Sequence, residues 1–107
     1  MGLSQPLFAQ DNYQQWVSDI TNRLNNTEKL LKENKIDDAK TEVQMEYFEV
    51  FENLEGPIRI NFSAQKSYQM EATFGEIRKM IDEGKPMSEI QAKLEGLKRN
   101  CRKCCLL

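Results

Sequence analysis

At 107 residues the chain suffices for one domain of ordinary size. Hydrophobic residues make up 39% and charged residues 30%, with only 5 Gly and 3 Pro, a composition rich in helix formers that excludes collagen-like and disordered classes. The net charge of −2, with basic residues spread among acids outside the extreme C-terminus, argues against a nucleic-acid face, and the absence of His removes the commonest general base, the Ser and Cys triads and every His-containing metal signature.

In chain order, residues 1–10 read as a leader or a signal-peptide remnant. They are too few for a complete signal peptide, but Leu7-Phe8-Ala9 before Gln10 resembles the end of an apolar h-region and its small-residue cleavage site. Gly2 is placed for myristoylation, yet Pro6 stands where that motif needs Ser or Thr. No run approaches the roughly 18 apolar residues of a membrane span.

A helical domain is expected over residues 11–100. After Asp11, read as an N-cap, Tyr13, Val17, Ile20, Leu24 and Leu31 recur at helical spacing to about residue 34, with Trp16 and Leu30 widening the face. Beyond a turn at Asn34-Lys35, a second stripe of Ile36, Val43, Tyr47, Val50 and Leu54 is expected to end at Gly56-Pro57, a C-cap followed by a helix-starting proline. The third stripe is Ile60, Ser63, Ser67, Met70, Phe74, Ile77 and Ile81, closed by Gly84 and Pro86. The fourth is Met87, Ile90, Leu94 and Leu97, a spacing that Cys101 and Cys104 continue. Connections this short place successive helices antiparallel, so the expected fold is all-α, an up-down-up-down four-helix bundle. The alternative is that the second and third helices form one kinked rod that dimerises.

Each residue advances about 100° around a helix axis, which separates interior acids from solvated ones. With Tyr47 as origin, Glu49 falls at about 200°, Glu55 at about 80° and Glu52 at about 140°; around Phe74, Glu76 faces outward while Glu71 lies at about 60° and Arg78 at about 40°. Glu52, Glu55, Glu71, Arg59 and Arg78 are therefore expected to form one polar cluster between adjacent helices. Oxygen ligands without His or Cys suit hard cations. The competing reading is an ion-pair network in which the arginines neutralise the glutamates and fix helix register. Tyr47, Phe48, Phe51, Tyr13, Trp16 and Tyr68 read as core aromatics, and Ser63 and Ser67 as small residues permitting close helix approach, since no base is present to activate a serine. The chain is not expected to be an enzyme.

The segment from Tyr47-Phe48-Glu49-Val50-Phe51-Glu52 through Leu54-Glu55 to Ile58-Arg59, followed by Glu71-Ala72-Thr73-Phe74 and Ile77-Arg78, resembles the extracytoplasmic N-terminal domain of bacterial high-affinity iron permeases. That resemblance implies a helical periplasmic module joined to a membrane permease, with Glu52, Glu55, Glu71 and Arg78 at the matching positions and iron as the cation handled. It implies the permease and the metal ion as partners; by the charge pattern no nucleic acid is expected, and the expectation for the domain itself is that no cofactor is needed for folding and that a homo-oligomer is open to it. The Arg-Glu-x-x-Glu transport motifs are absent, so this chain does not itself transport.

The tail, residues 101–107, reads as a disordered basic segment holding all 3 cysteines. Cys104-Cys105-Leu106-Leu107 fits a prenylation motif with Cys104 as the lipidated residue, which gives a weaker third reading, a membrane-tethered adaptor, beside the cation-binding domain and the non-metal interaction module.

Overall fold

The computed structural model of the protein describes residues 5–105, with side chains described for 14–103. The elements are α1 (Gln5–Lys32), α2 (Ile36–Glu46), a π-helical turn (Tyr47–Phe51), α3 (Glu52–Asn61), α4 (Ala64–Asp82) and α5 (Met87–Cys105). No strand occurs among the described residues, so the fold is all-α. Because α2, the π-helical turn and α3 run on without a break, the chain makes four helical rods.

Two of the three expected connections lie where the sequence puts them. Asn34 (φ 61°) and Gly84 (φ 69°) occupy the left-handed region that ends a helix cheaply in Asn or Gly. The same pair of bonds closes each turn. Lys35 N–H donates to Leu30 O at 2.8 Å and Asn34 N–H to Leu31 O at 3.0 Å; Lys85 donates to Met80 at 3.0 Å and Gly84 to Ile81 at 3.2 Å.

The middle connection is displaced. Gly56-Pro57 does not end a helix but lies inside α3, and the chain turns instead at Phe62 (φ −125°, ψ −83°) and Ser63. Leu54 and Ile58, both fully buried, lie one turn apart on either side of Gly56-Pro57. Keeping both on one face outweighs the single backbone bond that Pro57 cannot donate. Ser63 is consequently the extended N-cap of α4, its Oγ accepting from Lys66 N–H at 3.0 Å, rather than part of a core stripe. Ile60, also assigned to that stripe, is 84% exposed.

The ends of the domain differ from expectation as well. α1 begins at Gln5, ahead of Asp11, so residues 5–10 are helical; the rest of the proposed leader, residues 1–4, lies outside the described residues. α5 continues to Cys105 with Cys101 fully buried, so residues 101–105 extend the fourth rod instead of forming a disordered tail. The side chain of Cys104, the proposed lipidation site, lies outside the described residues.

The core draws on every rod: Ile20 and Leu24 from α1, Val43, Phe51, Leu54 and Ile58 from the second, Met70 and Ile77 from α4, and Leu94 and Leu97 from α5. α1 packs against α2 and α5, and α4 against α2, α3 and α5. The molecule measures 50 × 26 × 19 Å. At 1.5 Å per residue, the 28 residues of α1 account for about 42 Å of the long dimension.

Candidate functional site

The π-helical turn opens the segment that carries the resemblance. A π-turn accommodates one more residue than an α-turn, and here it lets the consecutive Val50 and Phe51 both face the interior. Phe51 packs against Phe74 of α4 in a tilted pair with ring centroids 4.9 Å apart, and Tyr47 lies 5.8 Å from Phe74 and stacks on Phe51 at 5.9 Å. These contacts fix the seam between the second rod and α4. Phe48, expected in the core, is 54% exposed on the outer lip of that seam, and Tyr68 is likewise exposed.

Along the seam the structure brings Tyr47, Glu55 and Glu71 into one electrostatic field. Glu55 is only 14% exposed at its side chain, whereas Glu49 and Glu76 are 47% and 49% exposed, so the helical wheel separates inner from outer acids. Burial, reinforced by the charge of Glu71, holds the Glu55 carboxyl above the usual carboxylate range against the opposing pull of Arg59. The Tyr47 hydroxyl is pushed up to about 12, first by burial, then by its hydrogen bond to Glu71 and by the charges of Glu55, Glu71 and Glu52. Glu52 itself is exposed at the edge.

The two arginines do not play equal parts. Arg59 pairs with Glu55 at 3.3 Å, one helical turn away. Arg78 is exposed and forms no ion pair among the described residues; it lines a groove of about 230 Å³ with Val43, Tyr47, Phe48, Glu71 and Phe74. The five-residue charge network expected from sequence is therefore reduced to one ion pair and a set of acids sharing a field. Among the described residues no group of three or more Asp, Glu or Cys side chains stands in a geometry that could hold a metal ion.

Sequence reasoning missed the most deeply buried acid. Glu46, immediately before the π-helical turn, is fully buried, with Oε1 2.7 Å from Thr27 Oγ1 of α1 and Oε2 without a hydrogen-bond partner. Burial pushes its carboxyl up to about 8, helped by Glu42 and opposed by Thr27 and Arg23. The Thr27 hydroxyl also lies 3.0 Å from Arg23 O, and it has a single hydrogen to donate. The arrangement closes if protonated Glu46 donates to Thr27 and Thr27 donates to the Arg23 carbonyl. Exposed bonds flank this pair, Arg23 to Glu49 and Asn26 to Glu42, each at 2.6 Å. The available clue was the helical spacing of Ala39, Val43, Glu46 and Val50, with Thr27 between Leu24 and Leu31 on α1.

No protein-family model, characterised protein or solved structure matches the chain.

Proposed function

We propose that this protein is a non-catalytic helical domain of the kind found on the extracytoplasmic side of iron permeases, and that it holds a hard cation weakly at the Tyr47–Glu55–Glu71 seam. The observation that carries the reading is the mutual electrostatic stress of that seam: burial and neighbouring carboxylates raise both the Glu55 carboxyl and the Tyr47 hydroxyl above their ordinary values. A cation that accepts oxygen ligands relieves this repulsion, and iron meets that description. Glu52, at the exposed edge, supplies a further carboxylate on the entry side. In this reading iron is cargo, presented to a membrane permease, and the domain is periplasmic. An up-down-up-down topology belongs with it, supported by the short turns and by side-chain pairs that run in opposite order along neighbouring rods: Arg23–Glu49 with Asn26–Glu42, and Lys66–Asn100 with Glu76–Lys93.

Arg59 on Glu55, together with the lack of a gathered three-carboxylate group among the described residues, favours a second reading in which the acids are structural and the domain positions its permease without binding metal. Anaerobic titration calorimetry with ferrous ion separates the two. Cation binding predicts saturable heat with a dissociation constant on the order of a millimolar, as low ligand charge dictates, lost in the Glu55→Gln, Glu71→Gln double variant. No heat, or equal heat in both proteins, leaves the structural reading standing.

A further inference from the structure

One end of the molecule differs in chemistry from the rest. Residues 57–68 and 96–103 contain six basic residues and no acid; the remainder of the chain, with 9 basic against 17 acidic residues, carries −8. The two stretches are far apart in sequence, but Lys66 Nζ at the start of α4 donates to Asn100 Oδ1 near the end of α5 at 3.2 Å, so they share one end of the bundle. Lys98 is largely buried there, held by Asn25 and Glu95, which leaves Arg99, Arg102 and Lys103 exposed around the rim with Lys66 half-buried beside them. At the α3–α4 corner of this end, Ile60 is 84% exposed and Phe62 40% exposed. The Arg59 guanidinium lies 5.9 Å over the exposed Tyr68 ring beside them.

We propose that this end docks on an anionic bilayer surface, with Ile60 and Phe62 entering the interfacial layer and Lys66, Arg99, Arg102 and Lys103 meeting the lipid phosphates. The charge complementarity selects an anionic surface, and the apolar pair selects lipid over other anions. A polynucleotide would leave Ile60 and Phe62 against phosphate or water, whereas a bilayer interface accepts protruding apolar side chains beneath a rim of cations without any matched shape. No helix of the described residues is long and apolar enough to cross a membrane. The proposal goes beyond the cation reading and uses none of its carboxylates, so either can fail without the other.

The test is co-sedimentation of the full chain with vesicles of phosphatidylcholine alone and of equal parts phosphatidylcholine and phosphatidylglycerol. Binding is expected only to the anionic vesicles and is expected to fall steeply with added salt. Arg99→Gln with Lys103→Gln should weaken partitioning by roughly tenfold to thirtyfold, each basic residue near the surface contributing about fivefold or slightly less. Ile60→Ser with Phe62→Ser should weaken it by at least about tenfold. Ile60→Ser alone, at a position 84% exposed, keeps the comparison valid should the Phe62 change loosen the turn. Equal binding to both vesicle types, no binding to either, or partitioning indifferent to the apolar substitutions overturns the proposal. So does displacement from anionic vesicles by short duplex DNA that binds wild type and the Ile60→Ser variant equally well, which would identify a general polyanion surface.

Discussion

A carboxyl group with both oxygens removed from water is costly when charged, and Glu46 meets that cost by keeping its proton. The consequence for stability has a definite sign. The unfolded chain releases this proton near the ordinary value of 4.5 and the folded protein near 8, so between these values the folded state binds more protons and stability falls as pH rises. The slope approaches about 1.4 kcal/mol per pH unit for one such group. Urea midpoints measured at intervals from pH 5 to 9 should therefore decline in the wild type. Glu46→Gln, which keeps shape and removes the titration, should flatten that decline and be at least as stable as wild type above pH 8. An unchanged slope in the variant would show that Glu46 is not the titrating group. The outer acids serve as the contrast: Glu49→Gln removes an exposed pair with Arg23 and should cost no more than about 1 kcal/mol.

The second rod is the element whose sequence misled. Gly56-Pro57 carries every local mark of a helix boundary, yet the helix passes through it because Leu54 and Ile58 must both reach the core. The true boundary rests on Ser63, and Ser63→Ala should cost about 1 kcal/mol. For a domain of this size that is a drop of roughly 4–8 °C in thermal midpoint, readable by circular dichroism at 222 nm. Gly84 tests the other kind of helix end. Nothing crowds a Cβ built there, so Gly84→Ala should destabilise through its left-handed backbone alone, by about 1 kcal/mol. A silent Ser63→Ala would mean that the turn at Phe62 holds without its cap.

For the molecule as a whole, one core shared by four rods implies a single cooperative transition, with matching midpoints by circular dichroism and by Trp16 fluorescence. Phe51, fully buried where the π-helical turn meets α4, should be among the costliest residues to truncate. Phe51→Ala is expected to remove about 3–5 kcal/mol, a large share of the roughly 5–15 kcal/mol available to a small domain. Two separated transitions in the wild type would contradict a common core.

Composition and periodicity by themselves determined the all-helical class, the turns at Asn34 and Gly84, and the inner placement of Glu55 relative to Glu49 and Glu76, because each depends on contacts within a few residues along one helix. Tertiary structure alone decided that α3 runs through Pro57, that Phe48, Ile60 and Tyr68 face outward, that Arg78 shares a groove with Glu71 without an ion pair among the described residues, and that Glu46 is sealed against Thr27. The juxtaposition of the basic stretches at one end was equally hidden, since it requires α4 and α5 to meet at Lys66 and Asn100. The physical reason is common to all of these. A helical wheel assigns a residue an angle, but burial depends on which neighbouring rod fills that angle, and a single π-helical turn shifts every angle beyond it.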